Sequence, residues 1–143
     1  MLLYYFADKN EMITATLQHI AARLTVIVAA GLAPEPLPHD HLRDRIMPLI
    51  ADETLWPYMR IWLDVASRAA HGDALMAQIG RMVGLGFLDW IKAQLASEDP
   101  THDAARLLVL IEGTIFLRAI GLADVCVEAV RPSPRHFRED GNP

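Results

Sequence analysis

Cysteine, aromatic residues and clustered positive charge are all scarce in this chain of 143 residues. The one cysteine, Cys126, excludes an intrachain disulfide and is typical of a reducing cytoplasm. Lysine and arginine number 13 against 18 aspartates and glutamates, and the net charge is −5. Because non-specific binding to nucleic acids rests on clustered lysine and arginine, this charge argues against the chain alone binding DNA.

Long uncharged hydrophobic runs are missing as well. The most apolar stretch, residues 107–125, contains Glu112, Arg118 and Asp124, whereas a membrane-spanning helix needs about 20 residues nearly free of charge. The start of the chain has no basic segment before an apolar core, so no signal peptide is predicted. Apolar residues still make up 52% of the sequence, enough for one domain with a core. We expect a cytoplasmic protein with no membrane partner.

Strand patterns are nearly absent, and helical periodicity fills the chain. Asp8 and Glu11 have the spacing of a capping box at the start of a first helix. Pro48 should kink or end the second helix, because proline removes a hydrogen-bond donor. The predicted fold class is all-α, an antiparallel helical bundle of about five main helices. These helices are expected over residues 8–30, from about 39, from 52–54 to about 70, 73–96 and 101–122.

Motifs for catalysis and metal binding are missing. His39 and His41 are two residues apart, so a helix does not place them on one face. Ser67 and Cys126 have no obvious base nearby in the sequence. The segment GRMVGLG follows no predicted strand, so it does not have the context of a phosphate-binding loop. We therefore predict no catalytic residue, no metal site, no cofactor and no enzymatic activity.

Bulky side chains recur on the inner faces of the third and fourth predicted helices. For any single residue, ordinary core packing is the favoured interpretation. The alternative is the wall of an apolar pocket, in which Tyr58 would supply a polar hydroxyl. The last helix adds Glu112 and Arg118, each of which either pairs with another charge or faces a ligand. The residues assigned to ligand binding are Tyr58, Met59, Trp62, Met82, Phe87 and Glu112.

Two features of the last two long helices point to close packing. The fifth helix is apolar on almost every side, and in a chain this small a partner subunit is one way to cover it. Gly80, Gly84 and Gly86 each cost the fourth helix about 1 kcal/mol relative to alanine. A close approach by a neighbouring backbone usually offsets such a cost.

The first residues, LLYYFADKNEM, carry a more specific signal. An aromatic cluster ending in Phe6 is followed by Ala7 and Asp8, then by Lys9, Glu11 and an amphipathic helix. This stretch resembles the junction between the helix-turn-helix and the next helix in TetR-family transcriptional regulators. The remaining helices resemble, less specifically, the ligand-binding and dimerisation domain of that family.

The resemblance implies a division of the chain and a set of partners. Residues 1–7 would be a remnant of the recognition helix, 8–125 the effector-binding and dimerisation domain, and 126–143 a largely disordered tail. Tyr4, Tyr5 and Lys9 would contact DNA phosphates, although Leu3 stands where the family commonly has a tyrosine. The last two long helices would pair with their copies as a four-helix bundle in a homodimer. The interface residues predicted on this basis are Gly80, Gly84, Phe87, Ile91, Leu108, Ile111 and Ile115.

The expected function is that of the ligand-sensing and dimerisation domain of a TetR-type regulator, most simply a repressor, that binds a small apolar effector. Operator DNA would be bound only through a DNA-binding head of about 45 residues before Met1. A mass well above 15.9 kDa for the protein from its native cells would indicate such a head, and a mass of 15.9 kDa would indicate a short ligand-binding or partner-titrating dimer that does not read DNA. The alternative is a small helical enzyme or hydrophobic-ligand carrier with no function related to DNA.

Overall fold

A computed structural model describes residues 8–131, and these residues form a helical bundle without a strand. The all-α fold class is therefore confirmed. The only extended pairing between described residues is an isolated bridge between Leu37 and Leu95, which ties the loop after the first helix to the end of the fourth. The six helices are α1 (Lys9–Ala30), α2 (His39–Ala51), α3 (Trp56–Ala70), α4 (Ala74–Ala93), α5 (Pro100–Ala119) and α6 (Ala123–Val130).

Aspartate side chains begin three of these helices. The carboxylate of Asp8 accepts a hydrogen bond from the Glu11 backbone N–H at 2.8 Å, as the sequence spacing predicts. Asp73 and Asp99 cap α4 and α5 in the same way, at 3.1 Å in each case. Each cap satisfies a backbone N–H that has no partner within its own helix, and so fixes where the helix begins.

Three local predictions differ from the structure. Pro48 lies inside α2, which continues to Ala51, so the proline does not end the helix. The third helix begins at Trp56 rather than at 52–54, because a short 3-10 turn, Glu53–Leu55, comes first. The predicted boundary between 125 and 126 falls inside α6, so the first residues of the expected disordered tail are helical. The other residues of that tail, 132–143, lie outside the described part of the chain.

The main core lies where α5 crosses the other helices. Leu107 and Ile111 of α5 are buried among Leu42 and Ile46 of α2 and Ile91 of α4. A smaller cluster of Val65, Met76 and Ile79 joins α3 to α4, and half-buried residues of α1 pack on it. Between the two clusters the helices do not close completely.

The first helix contributes little to this core. Val28, near its C-terminal end, is its only buried residue. Just beyond it, a Cβ on Gly31 would lie 2.8 Å from both methyl carbons of Leu49, so glycine allows α2 to approach closely there. Of the described helices, α1 alone is long and apolar enough to cross a membrane. That criterion uses length and composition only, and signal sequences and core helices of soluble proteins also meet it.

Candidate functional site

A cavity of about 420 Å³ lies between α1, α3, α4 and α5. Its size is within the range of small-molecule sites, roughly 300–1,000 Å³. Leu17, Ala21 and Leu24 of α1 form one wall, and Val83 of α4 and Ile111 of α5 contribute to others. The apolar face of α1 is therefore turned toward this cavity.

All six residues that the sequence analysis assigned to ligand binding line this cavity. Met59 is fully buried, whereas 38% of Met82 is exposed. The ring of Phe87 stacks on that of Trp90 with 5.3 Å between centroids, which restrains its orientation. The structure brings together Tyr58, Met59, Trp62, Met82, Phe87 and Glu112.

The contribution of α1 was not assigned from the sequence. Leu17, Ile20 and Leu24 line the cavity, and Leu17 and Leu24 also pack against the two core clusters. Periodicity shows which face of a helix turns inward, but it does not show whether that face meets atoms or empty space. At the edge of the cavity the amide of Gln18 contacts the sulfur of Met82 at 3.0 Å, which links α1 to α4.

Glu112 is the polar centre of the cavity wall. The indole N–H of Trp62 donates a hydrogen bond of 2.7 Å to Glu112 Oε2. Burial in these apolar surroundings raises the pKa of the Glu112 carboxyl, and the Trp62 hydrogen bond offsets part of that rise. The structure thus joins two predicted ligand-binding residues, 50 positions apart in the sequence, in one hydrogen bond.

Arg118, the other charged residue singled out in the last long helix, has a structural role. Its guanidinium pairs with the Glu53 carboxylate and donates to the Ala51 carbonyl at 3.0 Å. It also lies over the Trp56 ring, 4.5 Å from the centroid. These contacts hold the C-terminal end of α2 against α5. Of the two charged residues singled out in the last long helix, only Glu112 lines the cavity.

The residues predicted for a dimer interface fall mostly elsewhere. Ile91, Ile111 and Ile115 are buried in the chain's own core, so they have no surface to offer a second copy. Leu108 is half-buried against the same core, and Phe87 lines the cavity. Because α5 is apolar on almost every side, its sequence could not show which of its apolar faces turns inward.

The glycines of α4 are not explained by packing within one chain. A Cβ on Gly80 would lie 3.6 Å from Val65, and one on Gly84 would lie 4.0 Å from Trp62, both ordinary contacts. On Gly86 it would meet nothing within 4 Å among the described residues. No close backbone approach offsets the cost of these glycines within the described chain.

An exposed apolar surface runs along the side of α5 that faces away from the core, and we call it the α5 stripe. Its members recur every three or four residues, so they share one helical face. The exposed fractions are 73% for Val109, 56% for Phe116 and 55% for Ile120. Beyond the end of α5, Leu122 and Val127 are also exposed, at 45% and 70%. The stripe consists of Ala105, Val109, Gly113, Phe116 and Ile120.

Of the three residues predicted to contact DNA, one lies in the described part of the chain. Lys9 is the first residue of α1 and is exposed, whereas Tyr4 and Tyr5 lie outside the described residues. Among residues 8–131, no group of three or more histidine, cysteine, aspartate or glutamate side chains converges as a metal site would require. Comparison with known protein families, with characterised proteins and with solved structures gives no match for this chain.

Proposed function

We propose that this chain is the ligand-sensing and dimerisation domain of a TetR-type transcriptional regulator that acts in the cytoplasm as a repressor. The observation that carries the proposal is the cavity, because the six residues assigned to ligand binding all line it. An apolar molecule that fits about 420 Å³ would be its effector.

The α5 stripe supports the dimerisation part of the proposal. Monomeric proteins rarely leave a large contiguous apolar patch in water. A second copy placed on the stripe would cover Val109, Phe116 and Ile120 and would pair α5 with its counterpart. The dimer face therefore moves from the buried isoleucines of α5 to the exposed face of the same helix.

The position of α1 supports the regulatory part. This helix lines the cavity with Leu17, Ala21 and Leu24, and it begins at the segment that resembles the junction with a DNA-binding head. A ligand in the cavity presses directly on the helix that leads to that head. Regulation also requires the ligand to bind one arrangement of α1 more tightly than another.

Binding of a neutral fluorescent apolar probe, N-phenylnaphthylamine, tests the sensing function. We expect its fluorescence to rise on binding and the melting temperature of the chain to increase. The variant Ala21→Phe places a ring in the cavity and should abolish binding. Ala29→Phe, on the same helix but exposed and away from the cavity, is the matched control and should bind normally. Failure of the unmodified chain to bind, or equal binding by Ala21→Phe, would refute the proposal.

The regulatory claim needs a separate measurement on the protein from its native cells. Its intact mass should exceed 15.9 kDa by that of about 45 residues. The longer protein should bind DNA, and an effector should change that affinity. A protein that binds the effector but never binds DNA would be a carrier, and one that converts the bound molecule would be an enzyme. In the enzyme, replacing Tyr58 or Glu112 should abolish turnover and leave binding largely intact.

A further inference from the structure

The cavity contains one ionisable group that stands apart from the rest of its wall. Among the described residues that line it, Glu112 is the only one with a formally charged side chain, and Tyr58 is the only other titratable one. Gln18 and Thr25 add uncharged polar atoms, and the Thr25 hydroxyl already donates to the Ala21 carbonyl. The remainder of the wall is aliphatic or aromatic.

The carboxylate of Glu112 has an unused acceptor. Oε2 accepts the hydrogen bond from Trp62, whereas Oε1 accepts none from the described residues. Oε1 is also not sealed in the core, because no buried side-chain oxygen or nitrogen of the described chain lacks a partner. This oxygen is therefore accessible, and it belongs to a residue that lines the cavity.

Glu112 also has no cation beside it in the described chain. Arg118, on the same helix, is paired with Glu53, and Arg106 is paired with Asp103. No described lysine, arginine or histidine lies within 4 Å of the Glu112 carboxylate. A carboxylate in apolar surroundings is costly unless a cation or hydrogen-bond donors accompany it.

We propose that the occupant of this cavity is a lipophilic amine, whose ammonium group donates to Glu112 Oε1 while its apolar body fills the space between α1, α3 and α4. The inference rests on the ligand-binding part of the proposed function. The ammonium supplies the missing positive charge and the missing donor in one group, and such charge-assisted hydrogen bonds are about twice as strong as neutral ones.

The aromatic wall fits the same ligand. Tyr58, Trp62 and Phe87 all line the cavity, and aromatic faces attract ammonium groups, most strongly away from water. A carboxylate ligand would instead bring a second negative charge toward Glu112. A neutral ligand would leave the carboxylate without a counter-ion, so the wall favours cations over neutral molecules and neutral molecules over anions.

Three probes with one apolar body test this order: diphenylbutylamine, diphenylbutanol and diphenylbutyrate. Isothermal titration of the full chain at neutral pH should give an affinity for the amine at least about tenfold above that for the alcohol. The carboxylate should bind most weakly. Equal affinities for amine and alcohol would overturn the inference and leave an apolar ligand site in place. Absence of binding by all three probes would overturn both the inference and the proposed function.

Two variants show whether the preference depends on Glu112. Glu112→Gln keeps the size of the side chain and its acceptor for Trp62, and should reduce the preference for the amine to about twofold or less while alcohol binding is retained. Asp64→Asn removes the same charge from an exposed site on α3 outside the cavity and should leave the preference unchanged. An unchanged preference in Glu112→Gln would refute the pairing. The probe series on the unmodified chain decides the matter even if that variant does not fold.

Discussion

Replacing Phe116 by serine should separate the proposed dimer without unfolding the chain. Phe116 lies in the α5 stripe and 56% of it is exposed in one copy. An aromatic side chain presents about 200 Å² in all, so about 110 Å² of Phe116 is available for a partner. At about 25 cal/mol per Å², covering that area contributes about 3 kcal/mol per copy.

In a two-fold dimer both copies contribute this surface, so Phe116→Ser removes up to about 5.5 kcal/mol from association. That upper bound corresponds to about a ten-thousandfold increase in the dimer dissociation constant, and half of it to about a hundredfold. The folded single copy should lose less, about 2 kcal/mol, because less than half of the Phe116 side chain is covered there. Val26→Ser is the matched control, since Val26 is 69% exposed on α1, away from the stripe.

Sedimentation velocity over a concentration series measures the dissociation constant, and circular dichroism measures the melting temperature of each variant. The expected result is a dimer for the unmodified chain and for Val26→Ser, and a folded monomer for Phe116→Ser at micromolar concentration. Two results would show that the stripe is not the interface. One is an unmodified chain that remains monomeric at that concentration, and the other is a Phe116→Ser dimer as tight as the original.

Three further predictions concern stability. Burial raises the pKa of Glu112 in the folded state above its ordinary value of 4.5. The folded state therefore binds this proton more tightly than the unfolded state does. The free energy of unfolding falls as the pH rises from the pKa of the unfolded state through that of the folded state. In urea titrations, Glu112→Gln should therefore gain stability relative to the unmodified chain between acid and neutral pH; a constant difference would contradict this. Gly84→Ala should stabilise α4 by about 1 kcal/mol and raise its melting temperature, because the new Cβ clears Trp62 at 4.0 Å; a lower melting temperature would mean that something outside the described chain packs there. Leu107→Ala should cost about 2–5 kcal/mol in urea titrations, since Leu107 is fully buried, and a cost below about 1 kcal/mol would show that α5 is not central to the core.

Helix positions could be predicted from the sequence because their determinants are local. Asp8 was predicted to start the first helix and caps α1, whereas Asp73 and Asp99 were identified as caps only in the structure. Pro48 shows the limit of such rules. The helix continues past this proline, and Ile46 and Ile50 on either side of it are buried in the core. In this helix the tertiary contacts outweigh the local cost.

The candidate site could be predicted only in part: six of its lining residues were named from the sequence, but neither the α1 wall nor the geometry was. Bulky side chains at helical spacing correctly grouped Tyr58, Met59 and Trp62. Whether they met solid packing or a cavity depended on how closely α1 approaches α4, a distance that no residue pattern encodes. The side of α5 on which Glu112 lies could not be derived from periodicity, because this helix is apolar on almost every side.

Because α1 is anchored mainly near its C-terminal end, a displacement of the helix at the cavity is amplified at its N-terminal end. Val28 is buried at one end, whereas Ile13 and Leu17 are held by half-buried contacts. At 1.5 Å per residue, the cavity wall near Ala21 is about 10 Å from Val28, and Lys9 is about 29 Å from it. If α1 pivots rigidly about Val28, each ångström of displacement at the cavity moves Lys9 by about three. A ligand that shifts the α1 wall of the cavity by about 1 Å would therefore move a segment attached before Lys9 by about 3 Å, the rise of two residues in a helix.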